Sequence, residues 1–438
     1  MKQSILSKDG VSYVVPFILI TSCFALWGFA NDITNPMVKA FSKIFRMSAT
    51  DGALVQVAFY GGYFAMAFPA AMFIRRYSYK AGVLVGLGLY ALGAFMFYPA
   101  KMTGEYYPFL IAYFILTCGL SFLETSSNPY ILSMGTEETA TRRLNLAQSF
   151  NPMGSLLGMY VAMNFIQAKL NPLDTASRAD LTPAEFEAVK EYDLSVLIGP
   201  YLVIGLVILA MFMLILFWRM PKNGDKNHNI DFVPTLRRIF AMPHYREGVI
   251  AQFFYVGVQI MCWTFIIQYG TRVLMADGMA EQAAEVTSQQ YNILAMIIFC
   301  CSRFICTFLL RYINTGRLLM VLAIVGGLLV VGVIGLQNIY GLYCLVGVSA
   351  CMSLMFPTIY GIALTGLGDD AKFGAAGLIM AILGGSVLPP FQAAIIDQVE
   401  LLGMPAVNVS FILPFVCFVV IAIYGHRTFL RSKGQLGG

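Results

Sequence analysis

The sequence predicts an all-α membrane protein whose twelve transmembrane helices form two repeats of six. Of its 438 residues, 58% are hydrophobic and only 12% are charged, whereas charged residues make up roughly 25% of a soluble protein. The apolar residues also occur in runs of about 20, the length that an α-helix needs to cross a bilayer. Weak similarity between the two halves of the chain adds the prediction of an internal repeat.

Twelve apolar runs, each bounded by charged residues, proline or glycine, follow one another along the chain. They lie near residues 14–34, 53–74, 81–99, 108–133, 144–166, 195–219, 247–269, 289–310, 317–336, 340–365, 374–396 and 406–426. The widest polar intervals are an acidic one at 167–194 and a basic one at 220–246. We therefore predict an N-terminal six-helix bundle at 1–219, a cytoplasmic linker at 220–246 and a C-terminal six-helix bundle at 247–438.

The positive charges predict which side of the membrane each connection faces. If the N-terminus is cytoplasmic, 19 of the 28 lysines and arginines fall in the inner segments and eight in the outer ones. The cytoplasmic connections of membrane proteins carry such an excess of lysine and arginine. We therefore expect both termini to be cytoplasmic.

The two halves resemble each other at a nearly constant offset. The matching positions are Gly28 with Gly257, Asn128 and Pro129 with Phe356 and Pro357, and Gly154 and Ser155 with Gly385 and Ser386. A parallel repeat of this kind is typical of transporters that hold their substrate near the membrane midplane.

The cysteines and histidines argue against metal and redox chemistry. All nine cysteines fall inside apolar runs without spaced pairs, so we expect neither disulfides nor a metal site. The three histidines, His228, His244 and His426, lie in polar connections, which excludes a histidine proton relay within the bilayer. An intramembrane enzyme would need such groups at depth, so we expect no catalytic residue, no enzyme activity and no cofactor.

Glu124 is the least favourable group in the chain. It follows the run PFLIAYFILTCGLSFL and so lies at membrane depth, where a carboxylate costs at least about 2.5 to 3.5 kcal/mol. The next apolar run carries Gln148 and Asn151, and their offset of three places both amides on one helical face. We predict that Glu124, Gln148 and Asn151 line one polar cavity. The alternative is that Glu124 is neutral and only links two helices through a hydrogen bond.

Polar residues interrupt the end of the first apolar run, FALWGFANDITNP. Asp32 and Asn35 are three residues apart and share a helical face. Burial disfavours the ionised form of a carboxyl group, so we predict proton coupling at Asp32, with Glu124 as the second candidate, and sugar binding at Asn31 and Asn35. The alternative is a helix end near the outer surface, where an acidic residue is inexpensive.

The second half offers neutral polar and aromatic groups in the run AQFFYVGVQIMCWTFIIQYG. Gln252, Gln259 and Trp263 recur at spacings of seven and four, along one stripe of a helix. Amides form hydrogen bonds with sugar hydroxyls, and an indole ring covers the apolar face of a sugar. We predict that these three residues contact a monosaccharide. The alternative for Trp263 is a residue of the interfacial aromatic belt.

Two further features have structural interpretations. Arg303 lies about two turns from the inner end of its apolar run, so it either extends to the membrane surface or contacts a ligand or a gate. The pairs Gly82 with Gly86 and Gly154 with Gly158 have GxxxG spacing, which predicts close helix packing.

These residues together resemble the fucose and glucose/galactose proton symporters of the major facilitator superfamily, over nearly the whole chain. The segments that carry the resemblance are YGGYF (60–64), YSYKAG (77–82), LETSSNP (123–129), RLNLAQSFNPMG (143–154), AQFFYVGVQ (251–259) and FPTIYGIAL (356–364). The resemblance implies the major facilitator fold and proton-coupled sugar uptake across the bacterial inner membrane by alternating access. It also implies that Glu124 matches the substrate-contacting glutamate of the fourth helix, and Gln148 and Asn151 the amides of the fifth.

The first helix departs from the fucose pattern, in which asparagines precede an aspartate by one turn. Here the acid is Asp32 and the later position is Asn35, a shift of about 4.5 Å along the same face. This form resembles the glucose/galactose branch, whereas the overall match favours L-fucose. Glucose or galactose is therefore the alternative substrate.

A membrane sugar sensor without transport is the competing function from another class. A sensor would be expected to carry a soluble signalling domain, and the predicted elements include none. We expect a monosaccharide, protons and the lipid bilayer as partners, no nucleic acid, and a monomeric protein.

Overall fold

A computed structural model describes most of the chain. The described residues are 7–8, 11–34, 37–47, 54–173, 178, 180–222, 232–398, 400–401 and 403–434. The chain divides into two compact units, the first comprising Met1–Met134 and Phe150–Ile230, the second Gly135–Ser149 and Asp231–Gly438. Residues 135–149, which the sequence assigns to the N-terminal bundle, thus group with the second unit, and the division into bundles at 1–219 and 247–438 stays a prediction.

The first half of the chain begins with a short antiparallel hairpin and continues almost entirely as helices. Its elements are β1 (Ser7–Lys8), β2 (Val11–Ser12), α1 (Val14–Thr34), α2 (Met37–Phe45), α3 (Leu54–Arg76), α4 (Tyr79–Thr103), α5 (Tyr107–Ser133), α6 (Ala140–Gln148), α7 (Phe150–Val161) and α8 (Pro183–Phe217). A π-helical turn (Ala162–Ile166) and a 3-10 turn (Gln167–Lys169) follow α7.

The described residues of the second half form helices and one pair of antiparallel strands of two residues each. Its elements are α9 (Phe232–Ala241), α10 (Pro243–Ala276), α11 (Glu281–Leu309), α12 (Thr315–Gly335), α13 (Ile339–Met352), α14 (Met355–Leu364), α15 (Ala371–Met380), α16 (Gly384–Ile396), β3 (Glu400–Leu401), β4 (Met404–Pro405), α17 (Ala406–Val409) and α18 (Ile412–Ser432).

Eleven helical segments within the described residues are long and apolar enough to cross a membrane. Each overlaps one of the predicted runs. The remaining predicted run, 144–166, consists of α6 and α7 on either side of Ser149, followed by the π and 3-10 turns. This segment is broken in its helical structure, which a hydropathy pattern does not reveal.

Close backbone contacts hold the first unit together. Helix α5 packs against α3 and α4, α7 packs against α1, and α8 packs against α4. A Cβ atom added to Gly86 would lie 2.9 Å from the carbonyl oxygen of Gly119, and one added to Gly154 would collide with the carbonyl oxygen of Ala25. The packing predicted from the glycine spacing is confirmed at these two positions.

The second unit is built around α10. This helix contacts α11, α14, α16 and α18, while α6 packs against α14 and α11. Fully buried side chains, among them Tyr255, Met261 and Tyr269, run along α10. Of the polar residues predicted on the same helix, Gln252 is fully buried, whereas Gln259 and Trp263 are partly exposed.

Candidate functional site

Glu124 lies inside the first unit, on α5, and is only 3% exposed. Its Oε1 atom accepts a hydrogen bond from the Tyr63 hydroxyl of α3 at 3.0 Å. Its Oε2 atom is buried and has no hydrogen-bond partner in the described part of the chain. The helix-linking alternative therefore accounts for one carboxyl oxygen, while the other keeps its hydrogen-bonding capacity for a further group.

Tyr63 is a site residue that the sequence did not single out. It lies in the motif YGGYF and is 4% exposed. Its backbone carbonyl accepts a hydrogen bond from Ser121 of α5 at 3.1 Å, so α3 and α5 are joined at two points around Glu124. The sequence could have indicated this residue. A tyrosine beside two glycines inside an apolar run places a hydroxyl group at membrane depth, where it needs a hydrogen-bond partner.

Asp32 lies near the end of α1 and is partly exposed. Tyr60 of α3 belongs to the same motif, YGGYF, as Tyr63. Tyr60 and Tyr63 are three residues apart on α3, so they lie on one face of that helix. Phe59 contacts both rings, with centroid distances of 5.7 Å in each case. The face of α3 that carries Tyr63, the hydrogen-bond partner of Glu124, therefore also carries Tyr60.

Two of the three predicted first-unit amides are described. Asn31 lies on α1, partly exposed, and Asn151 lies on α7, where its Nδ2 donates to the carbonyl oxygen of Phe24 at 3.2 Å. Asn151 therefore joins α7 to α1. The third, Asn35, lies outside the described residues.

Gln148 belongs to α6 and so to the second unit. It is 2% exposed, and its backbone carbonyl accepts a hydrogen bond from Arg303 Nη1 at 3.0 Å. Asn145, one turn earlier on α6, donates to Thr358 Oγ1 of α14 at 3.2 Å. Because Gln148 and Asn151 lie on different helices, a cavity shared by Glu124, Gln148 and Asn151 stays a prediction.

Gln252 has the most unusual environment of the predicted residues on α10. It is fully buried, and neither its amide nitrogen nor its amide oxygen forms a hydrogen bond with any described residue. Gln259, two turns further along, is partly exposed. A buried amide without partners costs free energy of roughly 1 to 3 kcal/mol, which favours a role in binding a polar ligand.

Trp263 also lies on α10 and is half-buried. Its Nε1 donates to Ser349 Oγ of α13 at 3.2 Å. Its ring meets Phe299 of α11 edge to face, with the centroids 4.9 Å apart. These contacts fix the orientation of the indole ring within the second unit. A tryptophan of the interfacial belt would not require such a fixed orientation.

Arg303 on α11 does not reach the membrane surface. It is only 3% exposed, and its Nε donates to the carbonyl oxygen of Ser353. Its guanidinium carbon lies 4.6 Å from the centroid of Phe299, the ring that contacts Trp263. The interpretation that Arg303 extends to the surface is therefore wrong, because its charged group is held inside the unit by backbone carbonyls and an aromatic face.

Two groups of polar residues emerge, one in each unit. In the first unit, Glu124 presents one carboxyl oxygen that has no hydrogen-bond partner among the described residues. In the second, the side-chain amide of Gln252 also lacks a described partner, and it lies on the helix that carries Trp263. Carboxylates and amides bind hydroxyls, and an oriented indole ring can stack on a sugar. Each group by itself suits the hydroxyls of a polyhydroxylated ligand.

Comparison with known proteins places these features in a family. The family model of the Major Facilitator Superfamily matches residues 20–389. The L-fucose-proton symporter of Haemophilus influenzae is 52% identical over 441 residues, which cover 99% of this chain and 100% of that protein. The L-fucose-proton symporter of Escherichia coli is 32% identical, with 95% of this chain and 93% of that protein covered.

A solved structure is similar over the same extent. The crystal structure of FucP, a transporter of this superfamily in the outward conformation, has a TM-score of 0.85 and 31% sequence identity, covering 95% of this chain and 99% of that one. The prediction of twelve helices in two repeats of six is confirmed. Eleven of the spans are the long apolar segments described above, and the broken segment 144–166 supplies the twelfth.

Proposed function

Because this chain belongs to the Major Facilitator Superfamily, we propose that it imports L-fucose together with protons by alternating access. The observation that carries the proposal is the full-length similarity to the two L-fucose-proton symporters. The buried and half-satisfied carboxyl group of Glu124 supports it, because a symporter needs an acidic residue at membrane depth.

In the first unit, Glu124 binds a sugar hydroxyl through Oε2 while Tyr63 holds Oε1. Asn31, Asn35 and Asn151 supply further amides for the sugar hydroxyls. Asp32 and Glu124 are the proton-coupling residues, and the hydroxyl groups of Tyr60 and Tyr63, which share one face of α3, serve as relay groups for the proton. This arrangement joins sugar binding and proton binding within one unit.

In the second unit, the sugar-binding residues are Gln148, Gln252, Gln259 and Trp263. Gln252 gains the hydrogen bonds that it lacks within the described residues when a hydroxyl approaches it. The Trp263 ring, oriented by Ser349 and Phe299, stacks on the apolar face of the sugar. No titratable carboxyl group belongs to this proposed set, so proton coupling is a property of the first unit.

One coupled proton is energetically sufficient. A charge that moves down a membrane potential of about 100 mV releases roughly 2.3 kcal/mol. This free energy corresponds to about a fifty-fold gradient of a neutral sugar. We propose one acidic residue, Asp32, as the carrier of that proton, with Glu124 as the second candidate.

The protein works as a monomer in the bacterial inner membrane, with both termini in the cytoplasm. Its excess of lysine and arginine in the predicted inner segments supports this orientation. The monosaccharide, the proton and the bilayer are its partners, and it needs no nucleic acid.

Glucose or galactose is the alternative substrate, because the order of Asp32 and Asn35 in the first helix resembles the glucose/galactose branch. The test uses the purified protein in vesicles with an inward proton gradient and labelled L-fucose. We expect accumulation of the label that collapses with a protonophore and is competed by unlabelled L-fucose far better than by D-galactose or D-glucose. Stronger competition by D-galactose or D-glucose would assign the alternative substrate, and binding without accumulation would indicate a sensor.

A further inference from the structure

The first unit contains a groove that is lined by none of the described residues predicted to bind the sugar or the proton. Its volume is about 970 Å³, at the upper end of the range of about 300 to 1,000 Å³ for ligand pockets. The groove lies between α1, α7 and α8. Its walls are apolar except for Lys169 and Ser195, so its contents cannot be a free sugar.

The packing of the helices explains why the groove is open. Helix α7 packs mainly against α1, and α8 packs mainly against α4, while α8 also contacts the π-helical turn that follows α7. At Gly154 the backbone of α7 touches that of α1, whereas a Cβ atom added to Gly199 of α8 would meet nothing within 4 Å. The space beside Gly199 is therefore wide enough for an additional group.

The groove faces the surroundings of the helices. Three of its lining side chains, Met153, Leu157 and Val203, are 47%, 56% and 62% exposed. In a membrane-spanning chain, exposed apolar side chains of this size are covered by lipid tails. The groove extends along α8 from Ser195 to Val207, about 18 Å at a rise of about 1.5 Å per residue. That length is close to half of the roughly 30 Å hydrocarbon core.

One end of the groove carries a positive charge. Lys169 is exposed, and its Nζ lies 5.2 Å from the centroid of the Phe165 ring, which also lines the groove. No carboxylate in the described part of the chain forms an ion pair with it. Lys169 is the single charged residue among the described residues that line the groove, and basic groups at the membrane surface attract anionic headgroups.

We propose that this groove binds one anionic phospholipid, with the phosphate of the headgroup on Lys169 and an acyl chain along α8. The apolar walls match the acyl chain, and the length of the groove matches one leaflet. Lys169, which has no carboxylate partner among the described residues, matches the phosphate. A neutral or zwitterionic lipid would satisfy the walls but would leave the charge of Lys169 without a net counter-charge. The site is separate from sugar transport and does not depend on which sugar is carried.

The experiment is native mass spectrometry of the full-length protein titrated with phosphatidylglycerol or phosphatidylethanolamine carrying identical acyl chains. We expect one phosphatidylglycerol bound at least tenfold more tightly than phosphatidylethanolamine. Lys169→Gln should lower the affinity for phosphatidylglycerol about tenfold and remove the preference over phosphatidylethanolamine. Lys101→Gln changes a lysine outside the groove and should leave the affinity and the preference unchanged.

A second pair of variants tests the acyl-chain position. Gly199→Trp fills the open space and should weaken binding of both lipids. Gly199→Ala also replaces the glycine but adds only a methyl group, so it should bind both lipids as the parent does. The proposal is overturned if the parent binds both lipids equally, if Lys169→Gln keeps the preference, or if Gly199→Trp binds both lipids as tightly as Gly199→Ala. Thermal unfolding in detergent, measured for all four variants, confirms that each is folded.

Discussion

Tyr63 of α3 donates a hydrogen bond of 3.0 Å to Glu124 Oε1 of α5, while Glu124 Oε2 is buried without a partner among the described residues. One oxygen thus holds the carboxyl group in place and the other is presented to a further donor. This division of roles within a single side chain leads to the first two predictions.

Glu124→Gln should weaken L-fucose binding about tenfold or more. The change replaces a charge-assisted hydrogen bond to a sugar hydroxyl by a neutral one, a loss of about 1 to 2 kcal/mol. Isothermal titration calorimetry of the purified protein measures the affinity. Glu137→Gln, which changes an exposed glutamate, is the matched control, and unchanged binding in Glu124→Gln would remove Glu124 from the site.

Tyr63→Phe should weaken sugar binding about three- to tenfold, because Glu124 then loses the hydrogen bond that fixes its orientation. This loss of affinity should occur only when the Glu124 carboxylate is present. In a double-mutant cycle with Glu124→Gln we therefore expect a coupling of at least about 0.5 kcal/mol. Tyr98→Phe alters an exposed tyrosine and should bind as the parent does. Strict additivity would show that Tyr63 acts independently of Glu124.

Gln252→Leu should separate stability from function. The change removes a fully buried amide that has no partner in the described part of the chain, so thermal unfolding should occur at the same temperature or a higher one. Sugar affinity should fall at least tenfold because the ligand loses its hydrogen bonds to the amide. Gln268→Leu, at an exposed position of the same helix, is the control. Normal binding by Gln252→Leu would contradict a ligand role.

Trp263 should report sugar binding by fluorescence. The chain has three tryptophans, and Trp263 is the one that the proposal places against the sugar. L-fucose should change the emission of the parent protein and of Trp218→Phe, and the change should disappear in Trp263→Phe. The same response in Trp263→Phe as in the parent would place this ring away from the sugar.

Asp32→Asn should uncouple transport from the proton gradient. The substitution mimics a permanently protonated carrier, so vesicles should still exchange labelled for unlabelled sugar but fail to accumulate it against a gradient. Asp180→Asn, at an exposed position, should accumulate sugar normally.

Normal accumulation with intact proton uptake by Asp32→Asn would move the coupling role to Glu124. The double change Asp32→Asn with Asn35→Asp then tests the difference between the two sugar branches. Restored accumulation would indicate that the acidic residue works from either turn of the first helix.

The sequence was sufficient for the features that depend on local pattern. Runs of apolar residues predict where helices cross the membrane, since a span needs about 20 such residues wherever it packs. The depth of Glu124 follows from its place within one run, and GxxxG spacing predicted the close contacts at Gly86 and Gly154. The motifs from YGGYF to FPTIYGIAL indicated the family, because they combine these local features over nearly the whole chain.

Only the tertiary structure decided which side chains meet. Tyr63 and Glu124 are 61 residues apart, Trp263 and Ser349 are 86 apart, and the burial of Arg303 depends on backbone carbonyls from two other segments. Hydropathy sets the depth of a residue but not the rotation of its helix or the choice of its neighbours. In a bilayer these are set by side-chain packing and interhelical hydrogen bonds, which act between segments that are distant in the sequence.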